Sequence, residues 1–209
     1  MEQLELGRNG MQVSRIGFGA WQAGGTVQYP LVRAQDDEAG VAAIRHAADV
    51  GVTRVDTAAA YGHRHSEEVV CRELAEMSPR DRPLVFTKCG QIYETPDSLA
   101  PLRVVRPEAI RAEADESLRR LGSDAIDLYQ MHWAAEDGTP REEYWGTLLE
   151  LKQEGMVRAV GLPNHSVDQL NRAEQLGHVE SLQPPLSIIS RAAAGDVITW
   201  CSADSIRQL

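Results

Sequence analysis

The segment VTRVDTAAAYGHRHSEEVVCRELAEM, residues 52–77, contains one predicted strand followed by one predicted helix. Its first part is apolar and ends on the carboxylate of Asp56. Its second part begins at Ser66 with two acids and then has apolar residues at helical spacing, which is typical of a capped amphipathic helix. A buried strand that leads directly into such a helix is the repeating unit of a parallel α/β sheet.

The same alternation extends over nearly the whole chain. The turn signal Arg8-Asn9-Gly10 separates two short alternating runs, which predicts an N-terminal β-hairpin. Six strand–helix units follow the hairpin. Their predicted strands lie at residues 15–19, 52–58, 83–90, 125–133, 157–163 and 179–189, and their predicted helices at 36–51, 66–77, 106–122, 141–155, 166–177 and 193–201.

Two architectures fit six alternating units, an open doubly wound sheet and a closed (β/α)8 TIM barrel. An open dinucleotide-binding sheet usually has GxGxxG after its first strand, whereas GFGAW at 17–21 lacks the third glycine. The barrel is therefore favoured. Because a complete barrel has eight units and about 250 residues, we expect residues 1–209 to form a single, incomplete barrel domain that lacks the last two units.

Composition narrows the class of function. The chain is 43% hydrophobic and 25% charged, as in soluble globular proteins, and its net charge of -10 argues against nucleic acid and anionic membranes as partners. Three cysteines occur without the spacing of a zinc site or a disulfide framework, and no run approaches the ~18 apolar residues of a membrane span. These features predict a cytoplasmic protein.

Polar residues follow three consecutive predicted strands. Asp56 ends the second strand, Lys88 the third and His132 the fourth, and Tyr61 follows Asp56 on the next loop. Each residue alone is more often a turn, cap or packing residue. In a barrel, however, the carboxyl ends of the strands form the active-site mouth, so the four side chains are expected to meet there.

The four residue types suggest an acid catalyst. An ammonium beside a tyrosine favours its phenolate form, and a carboxylate behind the lysine keeps that lysine charged and oriented. Tyr61 can then donate a proton while His132 holds the oxygen of a carbonyl substrate. Because we see no nucleophile and no metal ligand set, a cofactor is expected to supply hydride. His63 and His65 form only an HxH pair, so no metal site is predicted.

Several segments then resemble the aldo-keto reductases, in particular the branch of bacterial oxidoreductases and potassium-channel β-subunits. The resemblance runs in order from the hairpin to about Cys201, and the final residues do not share it. The segments that carry it are LGRNGMQVSRIGFGAW, VDTAAAYG, HSEEVV, FTKCG, LGSDAIDL, DLYQMHW and GLPNHS.

The resemblance implies a (β/α)8 barrel that reduces aldehydes and ketones with a nicotinamide cofactor, NADP(H) more often than NAD(H). It implies a catalytic tetrad of Asp56, Tyr61, Lys88 and His132. It also implies cofactor contacts and substrate contacts, each from a small set of residues. The cofactor contacts are Asp56, Asn164, Gln183 and Trp21, and the substrate contacts are Tyr61, His132 and Trp21.

The incomplete barrel leaves two hypotheses open. In the first, the chain is a reductase whose partner is a small-molecule carbonyl compound. In the second, it is an inactive relative that serves as a redox-sensing or scaffold subunit and keeps the four residues by descent. In either case the first and sixth strands would have unpaired edges, through which copies of the chain can associate into a homo-oligomer.

Overall fold

The computed structural model describes residues 1–8, 10–25, 27–28, 31–32, 36–95, 98–203 and 206–209. The strands, in chain order, are β1 (Gln3–Glu5), β2 (Gln12–Ser14), β3 (Phe18–Gly19), β4 (Val27–Gln28), β5 (Leu31–Val32), β6 (Arg54–Asp56), β7 (Leu84–Cys89), β8 (Gln91–Ile92), β9 (Leu102–Arg103), β10 (Leu128–Met131), β11 (Val160–Gly161), β12 (Ser181–Leu182) and β13 (Arg207–Gln208). The helices are α1 (Asp37–Asp49), α2 (His65–Glu76), α3 (Pro107–Leu121), α4 (Arg141–Gln153), α5 (Val167–Glu174) and α6 (Val197–Ala203), with two 3₁₀ turns at Gln22–Gly24 and Ala192–Ala194.

Seven strands form one parallel sheet in the order β13-β12-β11-β10-β7-β6-β3. Helices α1 to α5 each connect two strands of this sheet, which confirms the predicted alternation. Among the described residues no backbone pairing joins β3 to β13, so the sheet is an incomplete barrel, as expected. The carboxyl ends of β6, β7 and β10 lie side by side because each strand pairs in parallel with the next.

The predicted hairpin is present, and it covers the opposite end of the sheet. Strands β1 and β2 pair antiparallel, while Asn9 of the turn lies outside the described residues. Leu6 and Val13 from the hairpin pack against Phe86 and Leu128 from the sheet, with Leu209 against the same cluster. The amino ends of the strands are thus closed by apolar contacts, and the carboxyl ends carry the polar side chains.

Several predicted helix ends are confirmed by their caps. The Asp36 side chain accepts a hydrogen bond from the backbone N–H of Ala39 at the start of α1, and Ser166 forms a capping box with Gln169 at the start of α5. Helix α3 ends at Gly122, whose φ of 60° is the left-handed conformation common after a helix.

The cap predicted for α2 is wrong, although the helix begins only one residue before the predicted position. Ser66 does not cap the helix, which begins at His65 after Arg64 in a left-handed conformation without a side-chain cap. The Ser66 hydroxyl is instead buried, where it donates to the carbonyl oxygen of Ala20 and lies 2.8 Å from the Thr57 hydroxyl. The Ser66 hydroxyl thus bonds residues that follow β3 and β6, and these tertiary contacts take the place of the predicted cap.

The structure also corrects one edge of the predicted sheet. A short strand, β13, follows α6 and pairs in parallel with β12, so the sixth strand does not have an unpaired edge. The sequence did not reveal this strand because it comprises only two residues without an alternating pattern. The segments between β3 and α1 and between β7 and α3 contain the antiparallel pairs β4–β5 and β8–β9, and part of each segment lies outside the described residues.

In the part of the chain that the structure describes, no helix combines the length and the apolar character needed to cross a membrane.

Candidate active site

Three neighbouring strands bring the predicted polar side chains to one end of the sheet. Asp56 is the last residue of β6, Lys88 is the next-to-last of β7, and His132 follows β10 directly. In the register of the sheet, Lys88 lies opposite Gln130, two residues before His132. Tyr61 extends over the same end from the loop after β6, and its ring meets the His132 ring edge to face at a centroid distance of 5.7 Å.

Lys88 is the centre of this arrangement. Its Nζ donates to Asp56 Oδ1 at 2.5 Å, to the Thr57 carbonyl oxygen at 2.9 Å and to the Tyr61 hydroxyl at 3.3 Å. The lysine side chain is only 2% exposed. Burial acts to lower the pKa of Lys88, but the charge of Asp56 and the contact with Tyr61 outweigh it, so the pKa is raised above its ordinary value. The lysine is a buried cation beside the phenol.

His132 is a neutral imidazole at physiological pH. Burial, and then the positive charges of Lys88 and Arg103, lower the pKa of His132 to about 3. Its Nδ1 is buried and has no hydrogen-bond partner among the described residues. A neutral imidazole has one donor and one acceptor nitrogen, so His132 can bind a carbonyl oxygen without bringing a charge.

Glycine contacts fix the loop that carries Tyr61. Gly62 has φ +57°, and a Cβ built on it would lie 1.7 Å from the carbonyl oxygen of Gly24 in the 3₁₀ turn after β3. On the other side of the loop, the Tyr93 hydroxyl donates to the carbonyl oxygen of Ala60 at 3.0 Å. The Tyr61 backbone is therefore held between the loops that follow β3 and β7.

The other residues predicted to contact a cofactor differ in how closely they approach the four polar residues. Gln183, just after β12, donates from Nε2 to Asp56 Oδ2 at 2.7 Å. Asn164, just after β11, donates from Nδ2 to the carbonyl oxygen of His132 at 3.0 Å and has φ 59°. Trp21 is 51% exposed after β3 and makes no hydrogen bond or ring contact with the four polar residues within the described ranges. Two of the three residues thus join the cluster directly.

The sequence did not predict a set of contacts between two loops beside His132. Arg103 in β9 lies over the Trp133 ring, 4.7 Å from its centroid, and forms an ion pair with Glu136. Asp137 accepts a hydrogen bond from the backbone N–H of Val105 at 2.8 Å. These contacts tie the β8–β9 pair to the loop after β10. No sequence signal marks them, since they depend on the conformation of two loops.

A buried carboxyl group behind the mouth was also missed. Glu113 of α3 accepts a hydrogen bond from the backbone N–H of Gly90 at 2.7 Å and lines a cavity of about 160 Å³ with Arg64 and Arg120. Burial raises the pKa of Glu113 to about 8. The only hint in the sequence is an acid on the apolar side of a helix.

His65 does not belong to a metal site in the described part of the chain. No group of three or more His, Cys, Asp or Glu side chains is arranged there to hold a metal ion. His65 Nε2 lies 2.8 Å from Asp37 Oδ1 and so joins α2 to α1, whereas Nδ1 lies 3.1 Å from Glu68 Oε2 within α2. The Asp37 contact raises the pKa of His65.

Comparisons with known proteins agree with the family resemblance seen in the sequence. A model described as the aldo/keto reductase family matches residues 15–209, so the likeness does not stop near Cys201 as the sequence suggested. The chain is 32% identical over its whole length to an aldo-keto reductase, YhdN, from Bacillus subtilis, of which it covers 61%. It is 33% identical over 99% of its length to an NADH-specific methylglyoxal reductase from Escherichia coli, of which it covers 65%.

The fold is also shared with solved structures. A glycerol dehydrogenase, AKR11B4, from Gluconobacter oxydans matches 99% of the chain at 35% identity with a TM-score of 0.87, and the chain covers 62% of it. The chain therefore spans less than two thirds of the length of each of these three relatives.

Proposed function

Because the chain belongs to the aldo/keto reductase family, we propose that it reduces a small aldehyde or ketone to an alcohol, with Tyr61 as the proton donor. The observation that carries this proposal is the position of Lys88, whose Nζ contacts Asp56, the Thr57 carbonyl oxygen and the Tyr61 hydroxyl together. Asp56 and the Thr57 carbonyl oxygen hold the Lys88 ammonium in place, so its positive charge stays beside the Tyr61 hydroxyl.

The geometry supplies a driving force for proton donation. When Tyr61 gives up its proton, the phenolate oxygen lies 3.3 Å from the Lys88 ammonium. The ammonium and the phenolate oxygen then attract each other electrostatically. Asp56 keeps the ammonium in position, so the phenolate is stabilised without movement of the site.

His132 orients the substrate. Its pKa of about 3 keeps the ring neutral at physiological pH, and a neutral imidazole N–H donates to the carbonyl oxygen that receives the proton from Tyr61. Since the His132 and Tyr61 rings meet at 5.7 Å, one oxygen can contact both side chains.

The site chemistry calls for a nicotinamide cofactor, which supplies hydride to the carbonyl carbon when bound. Asp56, Asn164, Gln183 and Trp21 hold it in our proposal. The two amide side chains fit this role, because Gln183 lies against Asp56 and Asn164 against the backbone of His132. The family resemblance favours NADP(H) over NAD(H), whereas one relative is named an NADH-specific enzyme, so both forms are tested.

The remaining properties are proposed on the same basis. We place the reaction in the cytoplasm with a small-molecule partner, and with neither nucleic acid nor membrane as partners. The net charge of -10 and the free thiols of Cys71, Cys89 and Cys201 support this placement. A homo-oligomer through the outer edges of β3 and β13 is the accompanying proposal for assembly, and a sizing column tests it.

The first experiment measures binding and then turnover. Tryptophan fluorescence of the purified chain is followed during titration with NADPH and, separately, NADH, and loss of the reduced nicotinamide absorbance is then measured with a panel of small aldehydes and ketones. Tyr61→Phe is expected to lower kcat by about 10²–10⁴-fold. Tyr129→Phe removes a hydroxyl from a ring in the apolar core and is the matched control, with turnover retained.

Two results would contradict the proposal. The first is a Tyr61→Phe variant that is folded and as active as the parent chain. The second is a folded parent chain that binds neither cofactor, a result that would favour the inactive redox-sensing or scaffold protein.

A further inference from the structure

Asp56 is held at both of its carboxylate oxygens. Lys88 Nζ binds Oδ1 at 2.5 Å, and the Gln183 amide donates to Oδ2 at 2.7 Å. We propose that Gln183 is a positioning residue of the proton-donating network, and that it acts by fixing the carboxylate that orients Lys88. This inference rests on the proposed function, since it concerns the same network, and it gives Gln183 a role besides contact with a cofactor.

The contact crosses the whole mouth. Strands β11, β10 and β7 lie between β12, which precedes Gln183, and β6, which ends at Asp56. The two side chains meet only because the sheet curls into a barrel. Gln183 therefore ties the late part of the chain to its early catalytic strand, across 127 positions of sequence.

A second hydrogen bond changes what the carboxylate can do. An aspartate held at one oxygen keeps a broad range of rotation about its last side-chain bond. A donor at the other oxygen removes that freedom and fixes the direction in which Oδ1 meets Lys88. Since Lys88 Nζ is 3.3 Å from the Tyr61 hydroxyl, a rotation of the carboxylate would move the ammonium away from the phenol.

The amide group has capacity for both roles. A glutamine side chain carries two N–H donors and one carbonyl acceptor, and Asp56 uses one N–H. The other N–H and the carbonyl oxygen are chemically able to pair with the carboxamide of a nicotinamide. An amide already oriented by Asp56 would meet that group preorganised, so occupancy of the cofactor site and the position of Lys88 are coupled through one side chain.

The first part of the test is kinetic. Gln183→Leu removes the donor, and we expect kcat at saturating cofactor to fall about ten- to a hundred-fold, the loss expected for a hydrogen bond to a charged group. If Gln183 served only to bind cofactor, the cofactor KM would rise with kcat unchanged. That split would overturn the positioning role. The matched control is Gln175→Leu, at an exposed glutamine after α5.

The second part needs neither cofactor nor turnover. Gln183→Glu places two carboxylates in contact, and we expect a lower Tm than that of the parent chain. In the double variant Gln183→Glu/Asp56→Asn, one amide again faces one carboxylate with the roles exchanged. Asp56→Asn leaves Lys88 without its carboxylate partner in either chain, but it should lower Tm less in the Gln183→Glu chain than in the parent chain. In a Gln175→Glu chain, which carries the same added charge elsewhere, Asp56→Asn should lower Tm as much as it does in the parent chain.

The two parts separate failure of this inference from failure of the proposed function. A double variant whose Tm is only the sum of the two single effects would overturn the contact itself. If the double variant loses less Tm than the sum of the two single effects but the parent chain reduces no carbonyl compound, the contact stands and the reductase proposal fails. If the parent chain turns over and Gln183→Leu keeps its kcat, the reductase proposal stands and the positioning role fails.

Discussion

Glu113→Gln is predicted to stabilise the protein at neutral pH. In the fold, burial raises the pKa of Glu113 to about 8 from an ordinary value of 4.5, although the N–H of Gly90 and the charges of Arg64 and Arg120 oppose this. The carboxyl group is therefore mostly protonated in the folded chain at pH 7 and ionised in the unfolded chain. Glutamine keeps a carbonyl acceptor for the Gly90 N–H and has no proton to lose.

The direction of the pH dependence follows from the difference in proton binding between the folded and the unfolded chain. Between pH 4.5 and about 8 the folded chain binds a proton at Glu113 that the unfolded chain has released, so the free energy of unfolding falls as pH rises through this window. Between pH 4.5 and pH 7, at 1.36 kcal/mol per pH unit, the loss is about 3 kcal/mol. Because Glu113 as a residue is only half-buried, solvent screening reduces the expected loss to about 1–3 kcal/mol.

Denaturant unfolding of the parent chain and of Glu113→Gln, measured at several pH values from 4.5 to 8, tests the prediction. Between pH 4.5 and pH 7, the free energy of unfolding of the variant should rise relative to that of the parent chain by about 1–3 kcal/mol. Asp115→Asn removes a charge from an exposed position of the same helix and should show no such trend. A difference between Glu113→Gln and the parent chain that does not change with pH would refute the reasoning.

Two further predictions concern the elements around the mouth. Gly62→Ala should destabilise the fold by at least the ~1–3 kcal/mol of backbone strain, because its Cβ would meet the carbonyl oxygen of Gly24. It should also lower turnover, since the same loop carries Tyr61. Gly138 has a positive φ and open space around it, so Gly138→Ala is the control for strain alone in thermal unfolding. An equal loss of Tm in the two variants would contradict the close approach. The raised pKa of His65 means that its contribution to stability is complete below about pH 6.5 and is lost as pH rises through the raised value. His65→Gln should therefore lose stability relative to the parent chain at pH 5 and much less at pH 9, and parallel pH–stability curves would count against the ion pair with Asp37.

The elements that the sequence predicted well are governed by local chemistry. Acid caps, a proline near a helix start and a glycine after a helix end depend on a few adjacent residues, and α1, α3 and α5 accordingly begin and end close to the predicted positions. The meeting of Asp56, Lys88 and His132 was also predictable, because the carboxyl ends of neighbouring parallel strands share one edge. Topology alone was sufficient for that step.

The features that were missed depend on contacts between distant segments. Ser66 bonds Ala20 across 46 positions, and this contact cannot be distinguished from a helix cap in the sequence. Strand β13 comprises two residues whose pairing with β12 comes from the neighbouring strand and not from their own pattern. The Gln183–Asp56 contact depends on the curvature of the sheet, which no local motif encodes. The roles of the site residues remain predictions that the variants above test.

The apolar closure under the sheet has a consequence for how the chain is made. Leu6 and Val13, which are synthesised before the strands that they cover, pack on Phe86 and Leu128 and share their cluster with Leu209. Contacts so far apart in sequence are slow to form, since the intervening chain must be ordered first. The hairpin is therefore exposed until β7 and β10 have been synthesised, and its leucine and valine side chains are available to chaperones until then.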